Sequence, residues 1–319
     1  MSRRIAVLCG GVGAARFLRA LCSVVPAGEV TAVVNTGDDT DLHGLRISPD
    51  LDTVTYTLAA AIDPERGWGL VGETWEAMGA LARYSSVIPE GSTAGGTWFG
   101  LGDRDLATHL YRTGRLAEGA TLTEVTEEIG SAWGVEVEVL PMSDGRHSTM
   151  VALADGGEVS FQDYFVRLQH SVPVAGVRFD SDGSPATPRV LDALRDAEVV
   201  VIAPSNPFVS IAPIRALEGV DAILAGRRDS VVAVSPIVGG AALKGPAARM
   251  AVELGHSSDV AAVAALYTDV SSALVIDPVD DVLAEAVAAE GMRPVIVPSV
   301  MSDPGVASRL AEATLAAAR

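Results

Sequence analysis

Lysine occurs once in this chain of 319 residues, cysteine twice, and aromatic side chains make up only 5% of it. Each scarcity excludes something. The single lysine belongs to a chain of net charge -18, and a surface that acidic repels phosphate backbones, which argues against nucleic acid as a partner. An anionic small molecule must then be gripped locally, by arginine, by Lys244 or by backbone N–H groups. Cys9 and Cys22 make no disulfide framework, and no set of cysteine and histidine has zinc spacing. No run reaches the ~20 apolar residues of a membrane span. The N-terminal stretch imitates a secretory leader, but Gly10, Gly11, Gly13, Arg16 and Arg19 interrupt it, so the expected location is the cytoplasm. With few aromatics, a core drawn from the 49% hydrophobic residues must be packed by small aliphatic side chains.

What the chain does have is short apolar runs alternating with helical patterns. IAVLC (5–9), TAVVN (31–35), VVVIA (199–203), VVAVS (231–235), ALVID (273–277) and PVIVP (294–298) read as strands, each trailed by a helix-like segment. Runs apolar on both faces predict an α/β fold, a Rossmann-like, mainly parallel sheet with helices on both faces. The middle reads differently: ETWEAMGALARY, DRDLATHLYRTGRL and TLTEVTEEIGSAW are helical patterns. EVEVL, MVALA and EVSFQ then read as short strands, with Asp155, Gly156 and Gly157 as a hairpin turn. The expected division is a core of residues 1–64 and 186–319, and an inserted, mostly helical α+β region of 65–185 acting as a lid or substrate wall. Thr187-Pro188 marks the helix start where the core resumes.

Ligands of such sheets bind beyond the carboxyl ends of the strands, and four of the five stretches that carry chemistry lie there, GLGDRDLATHL being the exception. In CGGVGAARFL, Gly10, Gly11 and Gly13 turn the backbone and point N–H groups at an anion. Arg16 replaces the third glycine of a dinucleotide fingerprint, and Asn35 replaces the acidic residue that would hold a ribose, so the loop reads as a phosphate site without NAD. In VVNTGDDTDLHGLRISPDLDT, Asp38, Asp39, Asp41, Asp50 and Asp52 crowd the mouth of a strand. Ser48 as N-cap and Pro49 at the first helical position allow Asp50 or Asp52 merely to offset a helix dipole. The group as a whole suits Mg²⁺, which takes one or two carboxylates together with substrate phosphate and water. In GLGDRDLATHL, Asp103 is placed to cap a helix that carries Asp105 and His109 on one face, Arg104 and Thr108 on another. In APSNPFVSIAPI, Pro204 and Pro207 stiffen a turn presenting Ser205 and Asn206. In SPIVGGAALKGPAARM, Gly239 and Gly240 precede Lys244.

Together these five stretches resemble the CofD/FbiA family, the 2-phospholactate transferases of deazaflavin coenzyme biosynthesis, and the arginine-rich, alanine-rich composition leans toward the actinobacterial type. The resemblance implies transfer of a phosphoenolpyruvyl or 2-phospholactyl group from a guanosine diphosphate donor to the ribityl hydroxyl of the deazaflavin Fo, forming dehydro coenzyme F(420)-0 or its lactyl counterpart and releasing GMP. It also implies Mg²⁺ and a homodimer. On the residues, it implies metal ligands among Asp38, Asp39, Asp50 and Asp52, with Asp38, Asp50 or Asp52 catalytic. It implies donor contacts from Gly10, Gly11, Gly13, Asn35, Thr36, Ser205, Asn206, Gly240 and Lys244, and an Fo pocket lined by Asp52, Asp103, Arg104 and His109. A rival stands within the same superfamily, a regulator that binds a nucleotide sugar without catalysis. The acidic ISPDLDT and GLGDRDLATH stretches favour the transferase.

Overall fold

In the computed structural model, which describes residues 4–89, 92, 94, 97–242 and 245–319, alternation along β1 (Ile5–Cys9) sets the architecture. Ile5, Val7 and Cys9 join one apolar cluster, Ala6 and Leu8 another on the opposite face, and all five are buried. A strand buried on both faces needs helices above and below it. The chain supplies them in order: α1 (Gly11–Leu21), β2 (Val30–Val34), a hairpin of β3 (Thr40–Leu42) and β4 (Leu45–Ile47), then α2 (Pro49–Leu58). Three helices, α3 (Glu76–Leu81), α4 (Asp105–Ala117) and α5 (Leu122–Ala132), lead to β5 (Glu138–Pro141). A small antiparallel sheet of β6 (His147–Leu153), β7 (Glu158–Ser160) and β8 (Val174–Ser181) comes next.

The second half runs α6 (Pro188–Asp196), β9 (Val199–Ile202), α7 (Ala212–Arg215), α8 (Val220–Gly226) and β10 (Val231–Val234). A two-stranded ribbon, β11 (Ile237–Val238) and β12 (Ala241–Ala242), precedes α9 (Ala247–Glu253), α10 (Val260–Tyr267), β13 (Ala273–Ile276), α11 (Ala284–Ala289), β14 (Arg293–Ile296) and α12 (Pro304–Ala316). The main sheet is seven-stranded and parallel throughout, in the order β14-β13-β10-β9-β1-β2-β5. One face is covered by α1, α2 and α12, the other by α6, α8 and α10. Each fully buried valine of β9 or β10 contributes roughly 1.5–3 kcal/mol by leaving water. Among the described residues, no helix is long and apolar enough to cross a membrane.

The expected Rossmann-like fold is present, with one strand in a different place. EVEVL, read above as part of the inserted region, supplies β5, which pairs in parallel with β2 at the edge of the main sheet. Glu138 is exposed while Val139, Leu140 and Pro141 are buried, and the edge position is what lets the one charged residue reach solvent. The hairpin turn at Asp155–Gly157 joins β6 to β7 as expected, and the Thr187 hydroxyl accepts from the Val190 N–H at the start of α6.

The order of strands reverses between β1 and β9. Such a switch point opens a crevice at the strands' carboxyl ends, and the loops after β1 and β9 both reach it. They touch there: a side chain at Gly13 would place its Cβ 2.5 Å from the Pro204 carbonyl oxygen, so only glycine lets α1 begin this close to the β9 loop.

Candidate active site

The acidic loop runs from the end of β2 to the first turn of α2, and its four buried aspartates fall into two pairs. Asp50 sits in the first turn of α2, where its Oδ1 accepts the Gly11 N–H at 2.8 Å and its Oδ2 accepts the Asn35 side-chain amide at 3.0 Å. Asn35 is itself fixed. Its Oδ1 accepts the Gly37 N–H at 2.8 Å and its amide also reaches the Val209 carbonyl at 3.3 Å. Asp38 shares this environment. Burial raises its carboxyl well above the ordinary range, the neighbouring Asp50 charge raises it further, and the Asn35 amide partly offsets both. Burial likewise raises Asp50, against hydrogen bonds from Asn35 and Gly11. Among the described residues, no basic side chain pairs with either, and Asp38 Oδ1 is buried without a hydrogen-bond partner.

Asp39 and Asp52 are treated differently. Asp39 Oδ2 lies 3.1 Å from the Arg46 guanidinium and accepts the Ser48 hydroxyl at 2.7 Å. Burial pushes its carboxyl up to about 7, with Arg46 and Ser48 pulling the other way. The Ser48 hydroxyl, expected to cap α2, is spent on Asp39, so Ser48 is the N-cap by position without a side-chain bond to the helix. Asp52 is gripped through both oxygens by Arg112, itself only 2% exposed.

Arg112 N–H also points at His109 Nδ1 at 3.3 Å, while His109 Nε2 lies 3.3 Å from Asp105 Oδ2. Asp105 in turn accepts the Tyr56 hydroxyl at 2.7 Å. Burial alone would raise Asp105, but His109, Tyr56 and Arg112 carry it below the usual carboxylate range. Asp52, Asp105 and His109 thus form a buried knot whose ligand-type atoms lie within 4.8 Å of one another. The Arg112 guanidinium already occupies Asp52, and the nitrogen donor of His109 suits Mg²⁺ less well than oxygens do.

The remaining expected residues fall into place less uniformly. Asp41 is exposed, pairs with Arg146, and lies 4.0 Å from the Arg46 guanidinium that also pairs with Asp39. Asp103 does not cap α4. Its carboxylate accepts the N–H groups of Glu76 and Ala77 at the start of α3, and Glu73 accepts those of Arg104 and Asp105 at the start of α4. The two carboxylates exchange helices because the 71–77 segment folds across α4's first turn, where Arg104 also donates to the Val71 carbonyl at 3.0 Å. Ser205 Oγ accepts the Gly10 N–H and donates to the Gly10 carbonyl, and Asn206 Oδ1 accepts the Phe208 N–H. Two of the glycine-loop amides therefore face the chain's own Asp50 and Ser205. Thr36 is buried with its hydroxyl unpartnered, Gly240 turns the β11–β12 ribbon at φ +76, and Lys244 lies outside the described residues.

Arg46 and Arg112, which divide the aspartates, were not singled out from sequence. The available signal was the spacing of Asp105, His109 and Arg112, which one helix face brings together.

The 2-phospho-L-lactate transferase CofD family model matches residues 5–314. A phosphoenolpyruvate transferase of Streptomyces griseus is 42% identical over 317 residues, covering 98% of this chain and 97% of that protein. The phosphoenolpyruvate transferases of Nocardia farcinica and Mycolicibacterium smegmatis are 40% and 39% identical, each over 98% of this chain and over 94% and 98% of their own. A solved Bacillus halodurans protein of the upf0052 family superposes with a TM-score of 0.62 at 16% identity over 99% of both chains, a likeness of fold.

Proposed function

The chain belongs to the 2-phospho-L-lactate transferase CofD family and is a transferase; from that premise we propose that it moves a phosphoenolpyruvyl, or 2-phospholactyl, group from a guanosine diphosphate donor to the terminal ribityl hydroxyl of Fo. The observation that carries this reading is the Asp38–Asp50 pair, buried together at the switch-point crevice beside the glycine turn. In the reaction the hydroxyl oxygen bonds to the phosphorus bearing the acid, the bond from that phosphorus to the bridging oxygen breaks, and GMP departs with the electron pair. Positioning and charge neutralisation do most of the work in such transfers.

Asp38 and Asp50 fit a Mg²⁺ ion. They offer hard oxygens, one of them unpartnered, and two buried like charges that a cation would relieve. That ion would supply neutralisation of the diphosphate's charge. The protein's own groups do the rest. Asn35 holds Asp50 in one orientation and keeps the loop's backbone in register through Gly37. Gly11 presents its N–H to whatever anion lies against it, now the Asp50 carboxylate, so phosphate binding shifts Asp50 from that amide. Asp52, held through both oxygens by Arg112, would give the acceptor side a fixed wall, and the hydroxyl's proton leaves to a carboxylate of the Asp38–Asp50 pair. Asp103 and Arg104, tied into the 71–77 segment, would form the outer wall of the Fo pocket.

The test mixes purified protein, Mg²⁺, Fo and either enolpyruvyl- or lactyl-diphospho-5′-guanosine, and identifies the product by mass. Product with one donor, and none without Mg²⁺, supports the reading. Tight binding of a nucleotide sugar with no turnover of Fo under any condition overturns it.

A further inference from the structure

Arg104 holds the N-cap position of α4 with its side chain exposed, and among the described residues no carboxylate pairs with its guanidinium. In a chain of net charge -18, an arginine left unneutralised needs a reason. An acid lies close at hand. Glu73 Oε2 accepts the Arg104 backbone N–H at 2.9 Å, and Glu73 Oε1 accepts the Asp105 N–H at 3.0 Å. Both oxygens are spent on backbone groups that open the helix, in place of the capping side chain that Arg104 does not supply. The guanidinium is left to a neutral partner, the Val71 carbonyl, to which it donates at 3.0 Å. One of its five N–H donors is used there, and its charge is not.

Two glycines make this arrangement possible. A Cβ on Gly102 would overlap the Glu73 carboxylate, so only glycine lets that carboxylate reach the start of α4. Gly72 has φ +69, a left-handed conformation, and a Cβ there would lie 3.4 Å from Arg104 Nη1. The residues on either side of Arg104 are tied down as well. The Asp103 N–H donates to the Thr74 carbonyl at 3.0 Å while its carboxylate accepts from the start of α3, and Asp105 shares the Glu73 carboxylate. The backbone that carries Arg104 is thus fixed before, at and after it by the 71–77 segment.

We propose that Glu73 is a positioning residue for the acceptor substrate. By taking backbone N–H groups and leaving the guanidinium alone, it fixes the direction in which Arg104 projects and keeps that charge free for an acceptor oxygen on the ligand. The inference rests on the proposed function for the identity of that ligand, Fo. A donor held in place before binding spares the ordering cost that a mobile arginine would meet. A residue needed only to begin α4 would act otherwise. The same helix carries Asp105, His109 and Arg112, which surround and hold Asp52, so loosening all of α4 would disturb turnover and donor binding along with Fo.

The test measures Fo binding to the whole protein by equilibrium dialysis, with transfer kinetics alongside, in Glu73→Ala, Arg104→Ala and the double variant. Arg104→Ala should weaken Fo at least about tenfold, as befits a charged hydrogen bond. Glu73→Ala should weaken it about fivefold, with kcat and the donor's KM within about twofold of wild type. In the Arg104→Ala background, Glu73→Ala should cost less than about twofold more, because its effect passes through the side chain already removed. Glu73→Gln, whose amide oxygen can take one of the two N–H groups, should fall between wild type and Glu73→Ala; it carries the same comparison if Glu73→Ala fails to fold. Effects that multiply in the double variant, a kcat or donor KM that moves as far as Fo affinity, or Fo affinity unchanged in Glu73→Ala overturn the proposal. Fo bound by the wild type with no transfer from any donor removes the transferase reading and leaves Glu73 its role. Transfer with an Fo affinity indifferent to Glu73 removes this inference alone, and a wild type that binds no Fo overturns both.

Discussion

Asp38 and Asp50 on one side, and Asp39 and Asp52 on the other, are the same residue type, from the same loop, buried to nearly the same degree. The second pair is met by arginines, Arg46 and Arg112; the first is met by amides and by each other. A buried carboxylate beside a buried guanidinium is already neutralised, and its removal is felt as lost stability. A buried carboxylate pair with no cation beside it costs the fold free energy, and such strain persists where function requires it. On the proposed function, the contrast would separate the aspartates that hold the fold from those that hold the ion, a division that proximity in sequence does not show.

The largest effect expected from breaking this contrast falls on the structural side. Replacing Arg112 by Met leaves Asp52 buried and unpaired, and should destabilise the protein by about 3–5 kcal/mol in a denaturant titration. Replacing Asp50 by Asn should do the reverse. Stability is kept or raised, while kcat/KM for transfer falls on the order of 100-fold or more and the rise in Tm on adding Mg²⁺ disappears, because a ligand stabilises only the state that binds it. A variant that melts early and keeps its metal response would assign Asp50 to the fold.

A smaller effect is expected with pH. The native state holds protons on Asp38 and Asp50 at pH values where the unfolded chain has released them, because both carboxyls are raised. Their stabilisation is present below the ordinary carboxylate range near pH 4 and is lost as pH rises toward neutrality. In EDTA, the wild type should therefore lose stability relative to Asp50→Asn between about pH 4 and 7, by at least about 1.4 kcal/mol, the equivalent of one pKa unit. A difference that is flat, or that grows with pH, would show the pair to be ordinary carboxylates. The smallest effect belongs to Asp41, whose exposed pair with Arg146 should contribute no more than about 1 kcal/mol. Asp41→Asn should transfer at the wild-type rate, and a large loss would bring Asp41 back among the chemical residues.

Much of the frame was legible in the sequence because burial on both faces leaves a continuous apolar run, as in IAVLC and VVVIA. The β5 edge strand was assigned to the wrong layer because its alternating glutamates look alike in a small antiparallel sheet and at the rim of a large parallel one. The β3–β4 hairpin was not seen. Its turn places His43 and Gly44 both at positive φ, a conformation usually announced by Asn-Gly, so the histidine hid it. The acidic loop declared itself by composition, but its division did not. Arg46 and Arg112 reach Asp39 and Asp52 from β4 and α4, and Asp103 and Glu73 cap each other's helices across a fold that local spacing does not encode.

The most direct measurement is anomalous scattering from crystals soaked with Mn²⁺ and guanosine diphosphate. The account predicts an ion bound by Asp38 and Asp50, with the diphosphate against the Gly10–Gly13 turn. An ion seated instead among Asp52, Asp105 and His109, with Arg112 displaced and Asp38 and Asp50 bare, would contradict it.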